Sequence, residues 1–151
     1  MVSGILGLFG RRGAGRLRPE QSLGAFPLKN GDVSPLYVLF TVYNPGPEAA
    51  VAERIYLRAG RGAVLDLTGE LGGDGSGGSG EENDRGGLPR EIPPDGSATL
   101  WMRAKELSSR LQDAGCTGTP KLGLVVVDSG GAEHATTFKL RVDEYLRLKD
   151  E

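Results

Sequence analysis

Leu36-Tyr37-Val38-Leu39-Phe40-Thr41-Val42-Tyr43, ending at Asn44-Pro45-Gly46-Pro47, decides how the rest of this chain is read. The first eight residues are β-branched, aromatic or aliphatic, the composition that suits a pleated, half-buried strand. The four that follow combine an Asn, a Gly and two prolines, which stop a strand and turn the chain. Beyond the turn, Val51, Ile55 and Leu57 fall on one alternating face and Arg54, Tyr56 and Arg58 on the other, so a second half-buried strand is expected. Ala63, Leu65 and Leu67 repeat the alternation behind Gly60-Arg61-Gly62, and Leu88, Arg90 and Ile92 do so more weakly. Leu100 and Met102 follow the Pro93-Pro94-Asp95-Gly96 turn. Leu122, Leu124 and Val126, then Thr136, Phe138, Leu140 and Val142, flank Asp128-Ser129-Gly130-Gly131 as the two arms of an antiparallel hairpin. One segment departs from period two: Ala104, Leu107, Leu111 and Ala114 recur at three- and four-residue spacing before Gly115, which predicts a short helix closed by a glycine. Seven or so short strands with Gly/Pro turns and no βαβ alternation predict an all-β, antiparallel two-sheet sandwich with one short crossing helix.

The 151 residues suit one domain. We read residues 1–30 as an apolar and basic leader, 31–143 as the body and 144–151 as a tail. Gly69 to Gly87 holds nine glycines in 19 residues with Asp74, Glu81, Glu82 and Asp84, too little apolar surface to offset ordering, so a flexible acidic loop is expected there. The 18 basic and 20 acidic side chains give a net charge of −2, which provides no general field for nucleic-acid phosphates. The single Cys116 can form neither an intramolecular disulfide nor a thiolate zinc site. Apolar runs stay far short of the roughly 18 residues that span a bilayer. The arginines come after the apolar segment Met1 to Phe9 and not before it, the reverse of a secretory signal. A cytoplasmic protein is expected, with association to a particle or membrane surface left open. Thirteen arginines against five lysines fit a bacterial or phage source.

On Val38-Leu39-Phe40-Thr41-Val42-Tyr43-Asn44-Pro45-Gly46, Leu88-Pro89-Arg90-Glu91-Ile92-Pro93-Pro94-Asp95-Gly96 and the hairpin through Asp128-Ser129-Gly130-Gly131, the chain resembles bacterial immunoglobulin-like or fibronectin-III-like β-sandwich domains over roughly residues 33 to 143. The Cys…Trp…Cys framework of antibody domains is absent, Trp101 sits late, and the acidic Gly insertion lies outside the common pattern. The resemblance implies a binding or structural module.

Candidate chemistry is sparse. Gly73-Asp74-Gly75-Ser76-Gly77-Gly78 matches G-x-G-x-x-G, but no helix follows to face a pyrophosphate and the nearby carboxylates repel one. The same tract lacks the spacing of an EF-hand calcium loop. His134, the only histidine, lies near Asp128 without a G-x-S-x-G elbow, so a rim histidine is favoured over a catalytic one. Cys116, with Lys121 near in sequence, reads as an inert thiol. No cofactor, metal site or small-molecule substrate is expected. The richest signal is the leader: Val2, Ile5, Leu6 and Phe9 fall at i, i+3, i+4 and i+7, followed by Arg11, Arg12, Arg16 and Arg18. Burying those four side chains is worth on the order of 6 to 12 kcal/mol before ordering costs, while Gly4, Gly7 and Gly10 each cost the helix about 1 kcal/mol. Such a helix would form only against a partner groove, an anionic membrane surface or another subunit.

The expectation is therefore a non-enzymatic interaction or structural module, docked through Val2, Ile5, Leu6, Phe9, Arg11 and Arg12 to a protein partner or another copy within a phage-like, injection-type or membrane-proximal assembly. The competing expectations are a small hydrolase or metal-dependent enzyme using His134 and Asp128, and a carbohydrate- or peptide-binding sandwich in which Tyr37, Tyr43, Tyr56 or Trp101 cluster on one sheet face.

Overall fold

The computed structural model describes residues 17–25, 35–73 and 88–148. Their strands are β1 (Arg18–Gly24), β2 (Tyr37–Tyr43), β3 (Ala50–Arg58), β4 (Val64–Asp66), β5 (Gly72–Gly73), β6 (Arg90–Ile92), β7 (Ser97–Arg103), β8 (Lys121–Asp128) and β9 (Glu133–Lys139), with helices α1 (Ala104–Asp113) and α2 (Val142–Leu146). All strand pairings are antiparallel. A four-stranded sheet runs β1-β2-β7-β5; a five-stranded sheet runs β4-β3-β8-β9, with β6 sharing the β4 edge of β3. The fold is all-β. No helix among the described residues is long and apolar enough to cross a membrane.

Alternation builds the core. Val38, Phe40 and Val42 of β2 and Ala98, Leu100 and Met102 of β7 face inward from one sheet. Ile55 and Leu57 of β3 and Leu122, Leu124 and Val126 of β8 belong to the same apolar cluster from the other. Phe40 meets Phe138 of β9 edge to face across the core, with centroids 6.2 Å apart, a preferred geometry for aromatic quadrupoles. Helix α1 contributes Ala104, Leu107 and Leu111, and α2 contributes Val142 and Tyr145. Gly115, at φ +90, takes the left-handed position after α1, as its sequence position predicts.

Several expectations change in detail. Within the span read as a leader, Arg18–Gly24 is an edge strand zipped to β2 over seven register pairs, and Leu17 ahead of it is 2% exposed. The run of charged and small residues hid it: Arg18, Glu20 and Ser22 lie outward, and an edge strand buries little to betray itself. Pro19 is tolerated because an edge strand has one side free of ladder bonds. Within the span read as a tail, Tyr145 is buried in α2. Within the span read as a loop, Leu71 is buried and Gly72–Gly73 pair with β7. In β3 the period-two reading breaks at a register shift between Ala52 and Arg54, so Ala52 rather than Val51 joins the core, as a β-bulge requires.

Asn44, directly after β2, is fully buried. Its side-chain amide donates to the carbonyls of Glu48 at 2.8 Å and Ile92 at 3.0 Å, and its Oδ1 accepts the Gly46 N–H at 3.0 Å. Its backbone N–H donates to Gly96 and its carbonyl accepts from Asp95. Replacing it by Ala leaves the buried Gly46 donor and Ile92 carbonyl, and the part-buried Glu48 carbonyl, without this partner. Asn44→Ala should lower unfolding free energy by about 2–4 kcal/mol, measured by urea denaturation; a loss under about 0.5 kcal/mol would contradict this assignment.

Candidate functional site

Three arrangements of polar or aromatic side chains stand out from the core. The first is the pair read from sequence as a catalytic candidate. Asp128 ends β8 and its Oδ1 accepts the backbone N–H groups of Gly130 at 2.9 Å and Ala132 at 3.0 Å, so its side chain shapes the hairpin turn. The Asp128 Oδ2 lies 2.8 Å from His134 Nε2, and both side chains are only about a tenth exposed. The Leu17 backbone N–H donates to His134 Nδ1 at 3.2 Å. A backbone N–H can only donate, which fixes Nδ1 as the acceptor and leaves the proton of the neutral ring on Nε2, pointed at the carboxylate. Both ring nitrogens are thus engaged: one closes the hairpin, the other holds the start of β1. A general base needs a nitrogen facing a substrate proton, and using this one would break the clamp.

Burial works to raise the Asp128 carboxyl, but the His134 hydrogen bond and the Ala132 and Gly130 N–H groups outweigh it and hold its pKa below the ordinary carboxylate value. A depressed folded-state pKa contributes stability that is present above the unfolded value, about 3.9, and is lost as pH falls through the folded value.

The second arrangement lies on the outer face of the five-stranded sheet. Tyr56, 7% exposed, is flanked by the guanidinium groups of Arg54 at 5.8 Å and Arg58 at 5.5 Å from its ring centroid, within cation–π range. Its hydroxyl donates to Glu133 at 2.9 Å and accepts from Arg58 at 2.8 Å, while Arg58 also reaches Glu133 at 3.3 Å. The bonds from Tyr56 and Arg58 lower the Glu133 pKa, and the bond to Glu133 raises that of Arg58. The sequence offered Tyr56, Arg54 and Arg58 only as the outer face of a strand; Glu133, 75 residues beyond Arg58, carries no sequence signal linking it to them.

The third is the outer face of the four-stranded sheet. Val38, Phe40 and Val42 point inward, so Tyr37, Leu39, Thr41 and Tyr43 point outward. Across the ladder, Leu39 pairs with Trp101 and Thr41 with Thr99, and the two threonine hydroxyls bond at 3.1 Å. The Trp101 indole lies over Gly72, where an added Cβ would fall 2.5 Å from the ring nitrogen. Glycine is required there because the indole occupies the side-chain space. The Tyr43 hydroxyl donates to Asp95, a bond that raises the tyrosine pKa. Of the four aromatics proposed to cluster, Tyr37, Tyr43 and Trp101 share this face, and Tyr56 lies on the other sheet.

Cys116 is half-buried against the core beside the end of α1. Among the described residues no group of three or more His, Cys, Asp or Glu side chains is placed to hold a metal ion. The leader residues Val2, Ile5, Leu6, Phe9, Arg11 and Arg12 and the loop carboxylates Asp74, Glu81, Glu82 and Asp84 lie outside the described residues.

No protein-family model and no curated protein matches this chain. Among solved structures, the chain is similar to the X-ray structure of Northeast Structural Genomics Consortium target SoR45, at 15% identity and a TM-score of 0.38, over 89% of this chain and 93% of that one. A likeness at that TM-score carries no argument about function.

Acidification should therefore weaken the wild-type protein below about pH 4, and Asp128→Asn should flatten that part of the profile, read as urea midpoints across pH. His134→Ala leaves the Leu17 donor unpartnered and should cost about 1–3 kcal/mol at neutral pH. An unchanged midpoint in His134→Ala would show that the imidazole does not hold β1.

Proposed function

We propose that this protein is a non-enzymatic interaction module of immunoglobulin-like sandwich architecture that binds a protein partner. The observation that carries this reading is the composition of the outer face of the four-stranded sheet. Leu39 and Trp101 lie side by side at its centre, Tyr37 and Tyr43 stand on either side along β2, and Arg18, Glu20, Thr41, Thr99 and Arg103 occupy the surrounding outward positions. Binding energy at protein interfaces concentrates in Trp, Tyr and Arg around a desolvated centre with a polar rim. The engagement of both His134 nitrogens supports the same reading, since the one imidazole in the chain is committed to holding backbone.

The leader belongs to this proposal as a second contact. Val2, Ile5, Leu6 and Phe9 with Arg11 and Arg12 would dock to the same assembly, and two linked contacts raise avidity without either being tight. Leu17 and His134 belong to the body, so a deletion that tests the leader ends at residue 16.

A carbohydrate ligand is the alternative occupant of the aromatic face, since flat aromatic rings beside hydroxyls also suit a sugar. Placing a photo-crosslinking amino acid at position 39 in the native host, with position 54 on the opposite sheet as control, should give a discrete protein adduct at 39 alone. The adduct should fall by about tenfold in Trp101→Ala and weaken in the chain lacking residues 1–16. Equal adducts at 39 and 54 would refute the surface assignment. Glycan binding that is abolished by Trp101→Ala, with no protein adduct, would replace the protein partner by a sugar.

A further inference from the structure

The strand register places two ammonium groups directly opposite one another. Lys121 of β8 pairs with Lys139 of β9, both are exposed, and neither has an ion-pair partner among the described residues. Like charges directly opposite across an antiparallel pair are destabilising. Next to them, moving up the same outer face, come Gly123 with Thr137 and then Val125 with Ala135. The absence of a side chain at Gly123 opens a depression of about 390 Å³ between the Arg58 stem and the β9 residues, lined mainly by apolar surface. Its floor, Val125, is 1% exposed. From the lysines to the Val125–Ala135 rung is four residues, roughly 13 Å at about 3.3 Å per residue.

The carboxylates on this face are engaged elsewhere: Glu133 by Tyr56 and Arg58, and Asp66 by Arg54. The face therefore presents a short, mainly apolar depression with Lys121 in its lining, and Lys139 stands directly across the ladder from Lys121. An anion between the lysines replaces repulsion with two attractions, and an apolar body gains by covering the trough.

We propose that this depression is a binding site for a small, free amphipathic anion: a single carboxylate, sulfonate or phosphate head held between Lys121 and Lys139, with its apolar body lying over Gly123, Val125 and Ala135. The site is on the opposite sheet from the protein-binding face, so its failure would leave that reading untouched.

The probe is 8-anilinonaphthalene-1-sulfonate, which joins one anionic head to an aromatic body. Titrated into the full chain, it should saturate and shift the amide resonances of Gly123, Val125 and Ala135. Lys121→Gln/Lys139→Gln should weaken binding by about tenfold or more and raise or preserve the thermal midpoint, since a repulsion is removed. Gly123→Val should abolish binding by filling the trough. The added Cβ meets Arg58 at ordinary contact distances of 3.6 and 3.7 Å, and a β-branched residue suits a strand, so the thermal midpoint should hold. Decanoate should displace the probe, whereas 1-decanol and inorganic phosphate at equal concentration should not. Absence of saturable binding, affinity within twofold of wild type in the double-lysine variant, or resonance shifts confined to other residues would each overturn the proposal. Displacement by phosphate alone would reduce the site to a surface anion contact and overturn its amphipathic character.

Discussion

Asn44 is where the two sheets are tied at one end. A strand leaving the core needs its exposed peptide groups paired, and the Asn44 amide supplies both donor and acceptor in a place that water does not reach. It holds the Glu48 carbonyl before β3, the Ile92 carbonyl at the end of β6 and the Gly46 N–H of its own turn, while its main chain pairs with the 95–96 turn leading to β7. Two stretches far apart in sequence, 44–48 and 92–96, are thereby fixed at a single residue. The alternating core can pack only if those segments arrive in register, because a slip of one residue would turn an apolar face to solvent. Asn is suited to the position: Asp would aim a second acceptor at carbonyl oxygens, and Ala would satisfy none of them.

The same logic governs His134 and Asp128. A histidine within reach of an aspartate is the arrangement sought in hydrolases, but its meaning depends on what the second nitrogen does. Here the other side of the ring accepts from the backbone of Leu17, and the aspartate spends its second oxygen on two turn amides. The pair works as a buckle between the β8–β9 hairpin and the edge strand of the opposite sheet. Its chemistry is that of a satisfied buried network, whose members stiffen the structure when every donor and acceptor is used.

The strands that could be read from the sequence are those with a strong one-sided pattern. Tyr37–Tyr43 and the first arm of the β8–β9 hairpin fall where alternation placed them, as does the helix at Ala104–Asp113, whereas the second arm stops at Lys139 and Val142, read as part of it, begins α2. Elements held by context left weaker traces. β1 buries only Pro19, with Leu17 just ahead of it, and β5 is two glycines whose strand character comes from Trp101 and β7. In β3 one extra residue at the bulge moved the inward position from Val51 to Ala52, a local event that no period can announce. The proposed sites show the same division. Tyr37, Tyr43 and Trp101 were visible as candidates because β-strand parity is arithmetic. The Lys121–Lys139 pair and the Tyr56–Glu133 bond depend on register, which is fixed only once the hairpin turn and the β3–β8 ladder have formed.

The seating of Trp101 across Gly72 has a practical consequence. This is the one tryptophan in the chain, and its indole covers the short strand that leads toward the acidic glycine tract. Ultraviolet emission from the protein is therefore a local gauge of whether that strand is docked, and a change in colour or intensity would register its release without any attached dye.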